Sequence, residues 1–142
     1  MKLFELINVV KGEIGKIQKS GYNPHFKNNY MTLESISQEL EPVLHKNGLI
    51  VLQYVDGLRL VMEVRVSGTE EKIVTEMPLI GATNMQQLGA AITYARRYQI
   101  VAFFGILDKD DDGNDASGIV VPKPIQNTPT SQPSAPQSTF QL

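Results

Sequence analysis

Residues 49–66 read LIVLQYVDGLRLVMEVRV, and this stretch decides the fold. Apolar and polar residues alternate on both sides of Asp56-Gly57, a dipeptide typical of tight hairpin turns. A period of two places successive side chains on opposite faces of a strand. The stretch therefore predicts a β-hairpin. A second turn at 68–70 and a mixed apolar and charged run at 72–79 predict a third strand, which completes an antiparallel meander.

A long helix is predicted after the sheet, over residues 85–104. Asn84 followed three residues later by Gln87 is a helix start of the capping-box type, and Gly105 is a stop signal. Only Gly89 interrupts the helix-forming sequence between them, and a single glycine is tolerated. Strands followed by a helix of this length indicate a layer of helix on a sheet.

Two further helices are predicted before the hairpin. The first carries apolar residues at steps of four and three, namely Leu3, Ile7, Val10, Ile14 and Ile17, and is expected to end near Gly21. Residues 22–30 are rich in asparagine and are predicted to form a loop. The second helix has Thr32 as its expected N-cap and Gly48 just past its end, with Pro42 inside it. The predicted class is α+β, with helices on one face of a three-stranded antiparallel sheet.

Composition divides the chain near residue 116. Its 142 residues, 42% of them hydrophobic, suffice for one core. Residues 117–142 are rich in Pro, Ser, Thr and Gln and nearly lack aromatic residues, so they are predicted to be a disordered tail. Residues 1–116 are the predicted domain.

The absence of cysteine excludes disulfides and thiolate metal sites. No apolar run reaches the roughly 20 residues of a membrane span, and no signal peptide is recognisable, so we expect a soluble, cytoplasmic protein. The net charge is −2, but residues 1–106 carry 11 Lys and Arg against 10 Asp and Glu, whereas residues 107–142 carry 2 against 5. An anionic ligand would therefore require basic side chains gathered on one face.

The long helix carries two adjacent arginines, Arg96 and Arg97, between Tyr94 and Tyr98. Guanidinium groups pair with phosphates and tyrosine rings stack on bases, which is one interpretation of this pattern. The other is that the arginines form ion pairs with glutamates and the tyrosines belong to the core. About 100° separates the two arginines around the helix, so we expect them to meet different environments.

This helix is apolar on two faces. At 100° per residue, one face holds Leu88, Ile92, Ala95 and Ala102, and the other holds Thr93, Arg97, Ile100 and Phe104. The sheet can cover only one of them. The second face is predicted to meet further structure or a neighbouring subunit.

Residues 87–114 resemble the bacteriophage ERF (essential recombination function) family of single-strand annealing proteins. Members of that family carry a helix of the form Gly-small-Ala-Ile-Thr-Tyr-Ala-Arg-Arg-Tyr, followed by a glycine and an Asp-rich loop; residues 26–48 resemble the family more weakly. The resemblance implies a β-β-β-α core shared with annealing rings. It also implies single-stranded DNA binding without nucleotide hydrolysis or a cofactor, homo-oligomeric rings or helical filaments, and strand annealing in phage homologous recombination within the bacterial host cell.

The resemblance favours Arg96 and Arg97 as DNA-binding residues. Further basic candidates are Lys11, Lys16, Lys19 and Lys27 near the N-terminus, with Arg59, Arg65 and Lys72 on the strands. For each of these, a solvated surface charge is the alternative. Tyr30, like Tyr94, is a candidate for stacking on a base. The alternative for Tyr30 is an aromatic that anchors its loop to the core. Arg59 and Arg65 are predicted to point to opposite faces of their strand unless a bulge intervenes, so that at most one lines a common face.

The acidic loop Asp108 to Asp112 suggests two alternatives involving metal. It matches the first half of a calcium loop, but Ile119 stands where a bidentate glutamate is needed. A two-metal nuclease would need carboxylates held rigidly, which consecutive aspartates rarely provide. No metal site is therefore expected, although a nuclease and a strand-coating protein that does not anneal remain the rival functions. The tail is a candidate for recruiting a host single-strand-binding or recombination protein, or a solubilising linker.

A nucleotide site is not expected either. Gly15-Lys16 lacks the preceding glycine spacing of a phosphate loop, and Ile17 stands where Ser or Thr would hold magnesium. His25 and His45 are isolated and have no cysteine or helical histidine partner. The sequence therefore indicates a binding protein rather than a hydrolytic enzyme.

Overall fold

The computed structural model describes residues 1–107. In chain order the elements are α1 (Lys2–Glu13), β1 (Gly21–Asn23), β2 (Asn28–Tyr30), α2 (Leu33–Lys46), β3 (Leu49–Asp56), β4 (Arg59–Val66), β5 (Lys72–Pro78) and α3 (Met85–Phe104). The predicted α+β class is confirmed. The predicted disordered tail and the acidic loop lie outside the described residues.

Strands β3, β4 and β5 form the predicted antiparallel meander. In its register Met62 of β4 lies opposite Gln53 of β3 and Thr75 of β5. The even-numbered residues of β4 from Leu60 to Val66 are buried, and all three helices pack on the face that they form. The opposite face, called the open sheet face here, presents the exposed side chains of Ile50, Leu52, Tyr54 and Val74.

The core joins every layer of the domain. Leu3 of α1, Leu44 of α2, Met62 of β4 and Phe104 of α3 are nearly inaccessible to solvent and belong to one cluster. Burying such a side chain contributes about 1.5–3 kcal/mol, so this cluster fixes the helices on the sheet. A second cluster, Leu60 with Leu79 and Ala95, fixes the N-terminal half of α3.

Helix α3 begins and ends where the sequence predicts. The Asn84 side chain accepts a hydrogen bond from the Gln87 backbone N–H at 2.9 Å. The Gln87 side chain in turn accepts bonds from the backbone N–H and hydroxyl of Thr83, one residue earlier than a capping box requires. Gly105 ends the helix at φ 63°, a left-handed conformation that glycine adopts without strain.

The predicted end of α1 near Gly21 is wrong, because the helix ends at Glu13. Ile14 is already extended (φ −61°, ψ 119°). Ile17 is nevertheless buried, at 8% exposure. The helical spacing of apolar residues therefore continues past the end of the helix, into an extended segment whose Ile17 is also buried. Periodicity alone does not distinguish a buried helix from a buried extended segment.

The predicted loop at 22–30 is also wrong, because β1 and β2 form a small antiparallel hairpin. Its turn is held by the Asn23 side chain, which accepts hydrogen bonds from the backbone N–H groups of His25 (3.0 Å) and Phe26 (3.3 Å). Strands of three residues are too short to produce an alternating pattern in the sequence. Asn23, one of the asparagines that suggested a loop, instead stabilises the turn.

None of the helices within residues 1–107 has the length and apolar character needed to cross a membrane.

A carboxylate lies at the N-terminus of α1. Glu71 of the β4–β5 turn accepts a hydrogen bond from the Leu3 N–H at 2.9 Å. A negative charge at a helix N-terminus is stabilising. This bond ties α1 to the sheet.

Candidate nucleic-acid interface

Arg97 lies where α3 meets the β1–β2 hairpin. Its guanidinium carbon is 4.7 Å from the ring centroid of Tyr30, 5.2 Å from that of Tyr94 and 5.1 Å from that of Tyr98. All three distances are within the range of cation–π attraction. One nitrogen also donates a long hydrogen bond, 3.4 Å, to the Met31 carbonyl. These residues, Arg97 with Tyr30, Tyr94 and Tyr98, are called the Arg97 cluster below.

The partners of Arg97 leave its charge uncompensated. A guanidinium carries five N–H donors, and in the part of the chain that the structure describes no carboxylate pairs with this one. The tyrosine rings fix the position of the group while the remaining donors stay available. The cluster is thus suited to a bidentate contact with a phosphate.

Tyr94 and Tyr98 stack on each other along α3. Their ring centroids are 6.3 Å apart and the ring planes differ by 16°. The two residues are 53% and 55% exposed, so the alternative that they belong to the core is wrong. They are two exposed, nearly parallel rings beside a cation, and proteins use aromatic rings and cations together to bind single-stranded nucleic acid.

Tyr30 connects the hairpin to α3. It lies opposite Gly21 in the β1–β2 pair, and its ring covers that glycine so closely that a Cβ at position 21 would overlap ring carbons. Arg97 contacts the same ring. Tyr30 therefore contacts Gly21 and Arg97, and neither core cluster includes it.

Arg96 has a different environment, as predicted. Its Nε donates to the Gln53 side-chain oxygen at 3.3 Å, beside the edge strand β3. Gln53 donates to the Arg96 carbonyl and to the side-chain oxygen of Gln99. Gln99 is 5% exposed and donates to the backbone oxygens of Leu60 and Thr75. The half-buried Gln53 and the buried Gln99, which no local pattern in the sequence indicates, set the position of Arg96.

The three cations on the strands, Arg59, Arg65 and Lys72, are not part of the Arg97 cluster. The prediction that Arg59 and Arg65 point to opposite faces is wrong: they are six residues apart on a regularly paired strand, so both point to the open sheet face. Lys72 lies opposite Arg65 on the same face. Helix α3 packs on the other side of the sheet, and these three cations are therefore separated from Arg97.

Each of these three cations already has a carboxylate partner. Arg59 pairs with Glu76, and Glu63 accepts from Arg65 (2.9 Å) and lies 3.7 Å from Lys72. Glu63 also accepts a hydrogen bond from the Tyr54 hydroxyl, which raises the pKa of Tyr54. The three cations of the open sheet face thus share two carboxylates, and each of them has an ion-pair partner.

The N-terminal lysines are dispersed. Lys27 is exposed at the turn of the β1–β2 hairpin, with a left-handed φ of 52°. The Lys11 ammonium lies near Gly105, at the C-terminal end of α3, where a cation is favoured by the helix dipole. Lys16 and Lys19 lie in the segment between α1 and β1. Of the four, Lys27 shares the hairpin with Tyr30.

Within residues 1–107, no group of three or more His, Cys, Asp or Glu side chains is arranged to hold a metal ion. The acidic loop that suggested calcium or a nuclease lies outside the described residues.

A model of the ERF superfamily matches residues 5–141 of the chain. Comparisons with curated proteins and with solved structures gave no significant match.

Proposed function

The chain belongs to the ERF superfamily, and from this membership and the Arg97 cluster we propose that it binds single-stranded DNA and anneals complementary strands without ATP. The family supports a role of the phage recombination and annealing type. The proposal extends that role to a specific ligand, reaction and surface. It places the protein in the cytoplasm of the bacterial host, acting as a homo-oligomeric ring or filament.

The observation that carries the proposal is the chemistry of the Arg97 cluster. An uncompensated guanidinium suits a phosphate, and the exposed rings of Tyr94 and Tyr98 suit a base that is not stacked in a duplex. Duplex DNA also presents phosphates, but its base faces are stacked on one another and cannot contact the tyrosine rings. The cluster therefore favours single-stranded over double-stranded DNA.

Strand annealing needs no nucleotide hydrolysis. Forming duplex DNA releases about 1.4 kcal/mol per base-pair step, so annealing is downhill once two strands are brought together. Their mutual repulsion is the main obstacle, and neutralising phosphates lowers it. A protein that binds strands through cations and leaves base edges accessible is sufficient.

The test is annealing of two complementary fluorescent oligonucleotides without ATP. We expect the full chain to accelerate annealing and the Arg96→Ala, Arg97→Ala double variant to lose the acceleration. Arg59→Ala, which removes a cation from the open sheet face, is the matched control and should retain it. Equal rates for all three proteins would contradict the assignment of the surface. Binding without acceleration by the unmodified chain would instead identify a strand-coating protein.

A further inference from the structure

The turn of the β1–β2 hairpin presents an aromatic ring to solvent. Phe26 is 63% exposed, and the ring of His25 meets it edge-on with centroids 4.8 Å apart. A single exposed apolar residue needs no explanation. The construction of this turn and its charge distinguish it from an ordinary loop.

The turn is built from specific backbone contacts. The Asn23 side chain accepts hydrogen bonds from the backbone N–H groups of His25 and Phe26, and Lys27 adopts a left-handed conformation that is unfavourable for a lysine. These contacts fix the position of Phe26 without any packing against the core. At the other end of the hairpin, Tyr30 is fixed against Gly21 and Arg97.

The segment around the hairpin is basic. Residues 14–33 contain three lysines, Lys16, Lys19 and Lys27, and no aspartate or glutamate. An exposed ring in such a segment complements an anionic ligand that also has flat apolar faces. Single-stranded nucleic acid has both properties.

We propose that Phe26 is a second base-stacking residue, which contacts a nucleobase of the same strand that the Arg97 cluster holds, with Lys27 on the adjoining phosphate. This inference rests on the proposed function. Phe26 lies in the turn and Tyr30 ends β2 four residues later, so at about 3.3 Å per residue their Cα atoms are at most roughly 13 Å apart. At about 3.4 Å per nucleotide in a stacked strand, about four nucleotides or fewer span that distance.

The chain has no tryptophan, so Phe26→Trp introduces a single indole at the proposed contact. Its emission should change on addition of oligo(dT), and the variant should keep the affinity of the unmodified protein. Phe4→Trp is the matched control, because Phe4 is 56% exposed on α1 and should give no response. A strand of abasic sites, which retains its phosphates, should change neither emission.

Phe26→Leu tests the energetic contribution of the ring. It keeps an apolar side chain and removes the stacking surface, and we expect the affinity for oligo(dT) to fall about fivefold or more. An unchanged affinity of Phe26→Leu, or an unchanged emission of Phe26→Trp, would overturn the inference as long as the unmodified chain binds oligo(dT). No binding by the unmodified chain would overturn the proposed function itself.

Discussion

The Arg97 cluster and the open sheet face both combine cations with tyrosines, but their partners differ. Arg97 contacts three rings and a carbonyl, whereas Arg59 and Arg65 pair with carboxylates. Tyr98 is an exposed ring beside a cation, whereas the Tyr54 hydroxyl is bonded to a carboxylate. A phosphate can meet Arg97 directly but must compete with a glutamate on the open sheet face. The partner of a cation, more than its presence, decides whether it can bind an anion.

Among single substitutions, Arg97→Ala is expected to have the largest effect on DNA binding. Hydrogen bonds to charged groups contribute about 1.5–3 kcal/mol, and each 1.4 kcal/mol is a factor of ten. We therefore expect the affinity for single-stranded DNA to fall roughly 10-fold to 100-fold, measured by fluorescence anisotropy. Arg97→Lys should recover only part of it, because an ammonium keeps the charge and loses the planar contacts. Full recovery by lysine would assign the effect to charge alone.

Gly21→Ala, in the β1–β2 hairpin, is expected to disturb the Arg97 cluster through the ring of Tyr30. The added methyl overlaps the Tyr30 ring, and overpacking of this kind costs typically about 1–3 kcal/mol. We expect a lower melting temperature and a several-fold loss of DNA affinity as Tyr30 moves away from Arg97. Gly12→Ala, where a Cβ meets nothing within 4 Å, is the control for adding a methyl group. A melting temperature unchanged by Gly21→Ala would show that the hairpin adapts without strain.

Arg96→Ala is expected to have a smaller effect than Arg97→Ala. Its side chain is already engaged with Gln53 and lies at the sheet edge, away from the three rings. A loss of affinity of about threefold, against tenfold or more for Arg97→Ala, would support a division of roles between the two arginines. A larger loss for Arg96→Ala would reverse that division.

On the open sheet face, Arg65→Gln should leave DNA affinity within about twofold. Arg65 is bonded to the half-buried carboxylate of Glu63, which keeps the Lys72 ammonium and the Tyr54 hydroxyl as partners when Arg65 is replaced, so the melting temperature should fall only modestly. Both quantities can be measured on the same preparation. A tenfold loss of affinity would show that paired cations on this face reach DNA after all.

The smallest expected effect concerns pH and a carboxylate remote from both surfaces. Hydrogen bonds from Lys46 and Asn47 lower the pKa of Glu13 below its usual 4.5. A carboxyl with a lowered folded-state pKa stabilises the fold above its unfolded pKa, and that contribution is lost as pH falls through the folded pKa. Thermal melts between pH 6 and pH 3 should therefore show a weaker acid destabilisation for Glu13→Gln than for the unmodified chain. Identical slopes would contradict this linkage.

Local signals in the sequence predicted the larger elements correctly. The alternation around Asp56-Gly57 predicted the meander, and Asn84 with Gly105 predicted the limits of α3. These signals work because caps, turns and strand periodicity depend on residues near one another in the chain. The β1–β2 hairpin was missed, since its short strands depend on Tyr30 packing against Gly21 and on a distant arginine.

The candidate site was predicted less completely than the fold. The motif on α3 identified Arg96 and Arg97, and their separation around the helix correctly indicated different environments. The grouping of Tyr30 with Arg97 joins residues 67 positions apart, and no local pattern encodes it. The ion pairs that compensate Arg59 and Arg65 likewise required the strand register.

We propose that DNA binds the Arg97 cluster and not the open sheet face. The most direct test is the salt dependence of affinity for a single-stranded oligonucleotide, measured for the unmodified chain, Arg97→Ala and Arg59→Ala. Each lost phosphate contact reduces the slope of log K against log salt by about 0.7 for single strands. We expect a slope reduced by about that amount for Arg97→Ala and an unchanged slope for Arg59→Ala. An unchanged slope for Arg97→Ala, or a reduced one for Arg59→Ala, would contradict it.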